Sequence, residues 1–261
     1  MLDQITPLIL TFNEAPNIGR LLDCLAWAKR IVIVDSHSDD ETEAIARRHP
    51  RVEVVQRRFD THANQWNFGL QETGIDTEWV LALDADYVPT PQFVDELRAL
   101  APAPEVEGYR ARFRYCVDGQ PLRGGLYPPV TVLYRRAAAR YEQEGHTQRV
   151  RLAGTIAALS QPLLHDDRKP LGRWYSAQIA YMRQEAEHLL DAPVRTLRLP
   201  DRVRRLVVVA PVLVFIYCLI VKGNLLDGRR GVFYALQRAL AEVILSAFLV
   251  EAGIRRRAKG K

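Results

Sequence analysis

The sequence is poor in the residues that staple small secreted domains or fold them around a metal. Only three of its 261 residues are cysteines: Cys24, Cys116 and Cys218. They are scattered, odd in number and form no CxxC pair, which excludes a zinc knuckle and a disulfide framework and suits a reducing compartment. No signal peptide is expected, because a strand-like apolar run begins already at Ile5. No GxGxxG follows that run, which weighs against a dinucleotide-dependent dehydrogenase. No glycine- and basic-rich phosphate loop follows it either, which weighs against a nucleotidyltransferase. Residues 206–221 carry no charge, but these sixteen positions are interrupted by Pro211 and fall short of the roughly twenty needed to span a bilayer. Low-complexity tracts and short repeats are missing as well.

What is present is a chain long enough to bury one substantial core, or one core plus an appendage. Its charge is unevenly spread. Residues 195–261 hold 14 Lys and Arg against 4 Asp and Glu, a net +10. Of the chain's 36 basic and 31 acidic residues, the remaining 22 and 27 give residues 1–194 a net −5. Basic tails bind nucleic acid or anionic lipid. Long apolar runs lie between these arginines, which favours an anionic membrane surface and no nucleic acid.

Residues 5–100 alternate strand and helix signals. Short runs rich in branched residues at 5–10, 31–34, 52–55 and 79–83 predict strands buried on both faces. Helix-like segments at 15–28, 40–48 and 63–72 lie between them, the second with Asp39 or Asp40 as its cap and Ser38 as a further capping candidate. Repeated strand–helix–strand units imply a mostly parallel sheet flanked by helices, an α/β fold. Residues 105–160 are richer in strand signals, with turns at Asp118-Gly119 and Gly124-Gly125. A helix is expected over 170–190. A linker bracketed by Pro193 and Pro200 leads to the apolar segment 206–221, a turn at 223–231 and an amphipathic helix over 232–254 that carries Gln237, Arg238 and Glu242.

The most specific chemical signal is Asp84-Ala85-Asp86, at the end of the run 79–83. On extended chain, residues two apart point the same way. Two carboxylates so placed can hold Mg²⁺ or Mn²⁺, and the ion can hold a diphosphate. Ligands of open α/β sheets bind at the carboxyl ends of the strands, where this pair falls. Asp35 ends another buried strand and can accept from a base N–H or from ribose hydroxyls. Thr11-Phe12-Asn13-Glu14 follows the first strand, and its polar groups and free amides face the same edge.

Taken together, Leu10-Thr11-Phe12-Asn13-Glu14, Val32-Ile33-Val34-Asp35-Ser36-His37-Ser38-Asp39-Asp40-Glu41-Thr42, Gln65-Trp66-Asn67-Phe68 and Trp79-Val80-Leu81-Ala82-Leu83-Asp84-Ala85-Asp86 resemble the ordered motifs of the family-2 inverting glycosyltransferases, which have the GT-A nucleotide-diphospho-sugar transferase fold. Among these, bacterial lipopolysaccharide-core and cell-envelope glycosyltransferases look nearest, and their tails resemble Lys222-Gly223-Asn224-Leu225-Leu226-Asp227-Gly228-Arg229-Arg230-Gly231. The resemblance implies that Thr11, Asn13, Glu14, Asp35, Gln65, Asn67 and Asp84 hold the nucleotide-sugar. It implies that Asp84 and Asp86 engage a metal–diphosphate, with His165 as a further metal ligand and Mg²⁺ or Mn²⁺ as the ion. Inversion also needs a carboxylate to take the acceptor proton. Glu144 is the first choice and Asp166 the second. Where relatives show His-Glu, this chain has His146-Thr147. Arg149, Arg168 and Lys169 are placed to neutralise the leaving diphosphate.

The expected architecture is a GT-A catalytic domain over 1–195, with a nucleotide-binding half (1–100) and an acceptor-side half (101–195), followed by a helical tail over 196–261. The tail either associates with a membrane or forms a homo-oligomer. The expected partners are a nucleotide-diphosphate sugar donor, a glycan or lipid-linked acceptor and an anionic membrane. The expected place is the cytoplasmic face of the inner membrane, peripheral or hairpin-anchored. A polyprenyl-phosphate glycosyltransferase, whose acceptor phosphate needs no base, and a non-catalytic sugar-nucleotide-binding scaffold are the alternatives.

Overall fold

The computed structural model describes residues 1–144, 147–193, 195, 197 and 199–259, and the side chains of all of these except 144, 147 and 256–259. The chain forms two compact units. One comprises Met1–Pro121 and Tyr127–Lys169; the other comprises Leu122–Leu126 and Pro170–Lys261.

The first unit opens with β1 (Ile5–Thr11), α1 (Ile18–Cys24), β2 (Ile31–Asp35), α2 (Thr42–Ala46), β3 (Val52–Gln56), α3 (His62–Gln71) and β4 (Trp79–Asp84). The four strands stand where the apolar runs predict them. After β5 (Tyr87–Val88) and α4 (Pro91–Ala99) come β6 (Val106–Ala111), β7 (Phe113–Val117), β8 (Gln120–Pro121), β9 (Val130–Arg135), β10 (Arg140–Glu144), β11 (Thr147–Arg151), β12 (Thr155–Ala158) and β13 (Leu163–His165). The main sheet has the order β12-β6-β9-β4-β1-β2-β3. β1 pairs in parallel with β2 and β4, β2 with β3, and β12 with β6, while β9 runs antiparallel to β4 and β6. Period-two alternation divides the central strands between two hydrophobic clusters. Ile9, Ile33 and Leu81 join the cluster that includes Leu21 and Phe93, while Leu8, Val32 and Val80 join the one that includes Trp66 and Leu70. Both faces of the sheet are therefore covered, which explains why β1, β2 and β4 read as unbroken apolar runs.

The helices depart from expectation in instructive ways. α1 and α2 are shorter than the segments 15–28 and 40–48 because the polar residues before them tie two loops together. Of the expected caps, Asp40 serves the start of α2, from one position before the cap residue. The residue before α2 is Glu41, whose side chain caps nothing. Asp40 instead accepts from the Thr42 amide two residues on (2.9 Å), and Ser38 is bonded to Asp35. α4 has no counterpart in the sequence analysis, although Thr90-Pro91 is a cap followed by a first-turn proline. The Thr90 hydroxyl accepts from the Phe93 amide at 3.2 Å.

The second unit is helical: α5 (Leu171–Asp191), α6 (Leu199–Arg204), α7 (Val209–Ile216) continued by a π turn (Tyr217–Val221), a 3₁₀ turn (Asn224–Asp227) and α8 (Gly228–Lys259). α5, assigned to the catalytic body by sequence, belongs here instead. Its Ala186 and Leu189 share a cluster with Leu197, Leu245 and Leu249. Two polar residues in the middle of α8 turn inward. The Arg238 guanidinium lies over the Trp174 and Tyr234 rings (5.6 and 5.5 Å), and Glu242 meets Arg204 at 3.1 Å. By length and composition the helical stretch Asn224–Arg255, most of it α8, is apolar enough to cross a membrane, with a mean hydropathy of 1.5 over its most apolar 18 residues. The strap Leu122–Leu126 holds the turn before it. Arg123 and Gly124 donate their amides to Asp227 (2.9 Å) and Asn224 (3.1 Å), and the Leu126 amide donates to the Tyr234 hydroxyl (2.8 Å).

Gly231 is the tightest point of that turn, because a Cβ there would collide with the backbone carbonyl of Asn224. Gly231→Ala is expected to cost about 2 kcal/mol of stability through overpacking. Urea denaturation of the full chain checks this, and an unchanged midpoint would show the turn to be pliable.

Candidate active site

The site lies at the carboxyl ends of β2, β1 and β4. In the sheet register Thr11 stands opposite Asp35 and Leu10 opposite Asp84, so the aspartates ending β2 and β4 flank the end of β1. Asp35 is fully buried. Its carboxylate accepts from the Thr11 hydroxyl (2.7 Å), the Ser38 amide (2.8 Å) and the Ser38 hydroxyl (2.6 Å). Three of about four acceptor positions are thus filled from within the protein. Asn13, at φ +56°, closes the same loops: its amide donates to Ser38 Oγ and its Oδ1 accepts from the Asp39 amide, both at 2.8 Å. Asp35 therefore pins the loop after β1 to the loop after β2.

Gln65 and Asn67 are held in the same manner. Gln65, wholly buried, donates to Ser36 Oγ (2.9 Å) and to the Arg57 carbonyl (3.2 Å). Asn67 clamps the backbone of Tyr141, donating to its carbonyl at 2.9 Å and accepting from its amide at 2.8 Å. Its amide serves the junction of α3 with β10.

The acidic pair is the electrostatic centre. Burial and then the charge of Asp86 push the Asp84 carboxyl up. Burial pushes Asp86 up too, but His165 outweighs it and holds Asp86 below the ordinary carboxylate range. His165 Nε2 and Asp86 Oδ2 are 2.9 Å apart. Burial would lower the imidazole, yet Asp86 prevails and raises it. The rings of Tyr87, Tyr115 and Tyr127 stand edge-on around His165 at 5.5, 5.0 and 4.8 Å. Asp86 Oδ1 and His165 Nδ1 are buried without a hydrogen-bond partner. Of the expected ligands, then, Asp86 and His165 meet. Asp84 does not complete a trio with them: among the described residues no group of three His, Cys, Asp or Glu side chains is arranged to hold an ion.

Behind this pair, residues 166–169 are tied to α1. Lys169 Nζ donates to Glu14 at 2.6 Å, and Asn17 donates to both Glu14 (2.8 Å) and Asp167 (3.0 Å). Burial lifts the Glu14 carboxyl to about 7 in spite of the Lys169 ammonium. Asp166, the second choice of base, is corrected by its surroundings. Its Oδ2 accepts from Arg20 (2.5 Å) and Arg168 (2.8 Å), and its Oδ1 accepts from the Gly119 amide (3.0 Å). A buried carboxylate taken up by two guanidiniums and an amide is a corner post, and it also occupies Arg168. Glu144 ends β10; its side chain, Gly145 and His146 lie outside the described residues. Arg149 faces Glu142 across the β10–β11 hairpin.

Sequence reasoning missed His62, the first residue of α3, which shares the electrostatic field of Asp84. Burial lowers its imidazole despite that carboxylate. The Thr61 cap was a visible signal, since its hydroxyl accepts from the Asn64 amide. It also missed the three tyrosines around His165, which no spacing in the sequence unites.

A family model described as glycosyl transferase family 2 matches residues 8–166. Among solved structures, TarS 1-349 of S. aureus in complex with UDP-GlcNAc is 15% identical over 97% of this chain and 91% of that chain, with a TM-score of 0.50. Glucosyl-3-phosphoglycerate synthase from Mycobacterium tuberculosis in complex with phosphoglyceric acid is 16% identical over 65% and 74%, with a TM-score of 0.46. The same synthase in complex with Mn²⁺, UDP-glucose and phosphoglyceric acid is 20% identical over 44% of each chain, with a TM-score of 0.34.

Asp166→Ala is expected to lower stability by about 2 kcal/mol, because it strands two partly exposed guanidiniums and an amide. Equilibrium unfolding measures the loss. A variant as stable as wild type but unable to turn over would restore Asp166 to the list of bases.

Proposed function

The chain belongs to glycosyl transferase family 2, and from that premise we propose that it moves a sugar, with inversion, from a nucleoside-diphosphate donor to a glycan or lipid-linked acceptor of the cell envelope. It is a glycosyltransferase with the GT-A fold; the donor, the acceptor and the lipopolysaccharide pathway are the proposed parts. The first compact unit is the catalytic one in this reading, and it works at the cytoplasmic face of the inner membrane. The observation that carries the proposal is the buried Asp86–His165 pair beside Asp84, with one carboxylate oxygen and one ring nitrogen unpartnered. Unpartnered buried polar atoms are costly unless something else meets them.

Those residues fit Mg²⁺ or Mn²⁺. Asp86 and His165 would hold the ion, with Asp84 supporting it through water, and the donor's phosphates would supply the remaining oxygens. Such an ion supplies positive charge to the departing diphosphate. The chain's own groups do the rest. Thr11, Asn13 and Asp35 set the loops that receive the nucleoside. Glu14 and Asn17 hold Lys169, whose ammonium adds positive charge at the acidic centre. Tyr87, Tyr115 and Tyr127 restrain the His165 ring and keep water from it. Glu144 takes the proton from the acceptor hydroxyl as that oxygen attacks the anomeric carbon. With Asp166 occupied, Glu144 stands alone as the expected base. An acceptor that is already an anion, as in polyprenyl-phosphate transfer, is therefore the second reading.

Asp86→Asn should reduce transfer about a hundred-fold or more while leaving the melting curve in place, and chelation of divalent ions should mimic it. Calorimetry with a nucleoside diphosphate should show Mn²⁺-dependent binding in wild type and none in Asp86→Asn. Turnover near wild type in the folded variant defeats the proposal.

Glu144→Gln should slow transfer by roughly a hundred-fold or more and spare donor binding, since a base acts only as the acceptor is deprotonated. If turnover survives, the anionic acceptor is favoured.

A further inference from the structure

The second unit presents an apolar surface that its own fold does not cover. Val208, Ile220 and Leu226 are 77%, 68% and 72% exposed. On α7 and its π turn, Val209, Val212, Ile216 and Ile220 recur at helical spacing and all face outward. On α8, Phe233, Leu236, Val243, Val250 and Ile254 form a second outward stripe. Val207, Val243, Ala247 and Val250 line one shallow groove that the Glu251–Arg255 pair borders, and Leu225 and Leu226 of the turn are exposed as well.

Charge identifies what covers it. Three of the four acidic residues in 195–261 are already bonded to arginine: Asp227 with Arg123, Glu242 with Arg204 and Glu251 with Arg255. Residues 195–261 carry fourteen basic residues against four acidic ones, and of these Arg202, Arg229 and Arg230 are exposed while Lys222 lies over the Tyr217 ring. A second copy of this chain would set like charges against each other. A bilayer with anionic headgroups presents the opposite charge around an apolar interior.

We infer that α7, the turn and α8 lie flat in the headgroup layer of an anionic membrane, the two helices parallel to the surface and neither spanning it. Two observations exclude the spanning arrangement. α7 with its π turn, thirteen residues (Val209–Val221), is about 20 Å long, short of a roughly 30 Å hydrocarbon core. α8 is long enough, but its inner face holds Glu242, and Arg204 bridges Glu242 to Glu185 of α5. Burying α8 across a bilayer would draw those charges into hydrocarbon.

The inference deepens the membrane association proposed above and is independent of the chemistry. It is tested on the full chain with vesicles of phosphatidylcholine, alone or with one quarter phosphatidylglycerol, at low and high salt. Wild type should co-sediment with the anionic vesicles at least ten-fold more tightly than with neutral ones, and high salt should weaken but not abolish this. Leu226→Glu with Ile220→Glu should reduce binding ten-fold or more with an unchanged circular dichroism spectrum. Leu226→Trp should be quenched by lipids brominated near the headgroup more than by lipids brominated at the chain end. Asp86→Asn should bind vesicles as wild type does, which separates this result from any failure of the catalytic reading. The inference is overturned if wild type ignores the vesicles and sediments as an oligomer that Leu226→Glu dissociates, because the surface then joins copies of the chain. Stronger quenching from the chain ends overturns it too, in favour of a spanning helix.

Discussion

Negative charge taken out of water must be met by donors or cations, and the first unit is organised around that demand. Glu14, Asp35, Asp84, Asp86 and Asp166 gather at one edge of the sheet, where parallel strands end and side chains leave the core. Each answers the demand differently. Asp35 is met by hydroxyls and an amide of neighbouring loops. Asp166 is met by Arg20 and Arg168, and Glu14 by Lys169. Asp86 is answered on one oxygen only, by His165. The shape of the loops follows from these pairings, because several of the donors, Thr11 to Asp35, Arg20 to Asp166 and Lys169 to Glu14, come from distant segments of chain.

The central strands were legible because a strand buried on both faces leaves an unbroken apolar run, and β1, β2 and β4 are such strands. Asp84 and Asp86 were legible because the end of such a run is a place as well as a pattern. The letters Thr11 to Glu14 and Gln65 to Asn67 marked the right loops but not the task of each side chain. Polar residues at an edge serve ligands and backbone alike, and Asn67 bonds both polar groups of Tyr141. The bonds of Asp166 were not legible because its partners Arg20 and Gly119 are far away in sequence.

In the tail, a charge inside an apolar helix reads as a polar face turned to water. Here Arg238 and Glu242 turn inward and meet aromatic rings and Arg204. The outer surface of α8 is therefore more apolar than its composition suggests. Gly228 and Gly231, which read as turn residues, start the helix and permit the close approach of Asn224. The boundary of the helical unit falls after Lys169, not near residue 195, because α5 shares its buried face with α8.

The strap Leu122–Leu126 also imposes an order on folding. Its three amides find their acceptors in Asn224, Asp227 and Tyr234, residues 100 to 108 positions later. A ribosome adds about 5–20 residues per second, so those amides stay bound to water for several seconds after they emerge. During that interval the nascent strands of the first unit can pair among themselves, while β8 and β9, which border the strap, remain joined by an unanchored loop. The turn Asn224–Asp227 and the first turns of α8 thus fasten a loop made about a hundred residues earlier.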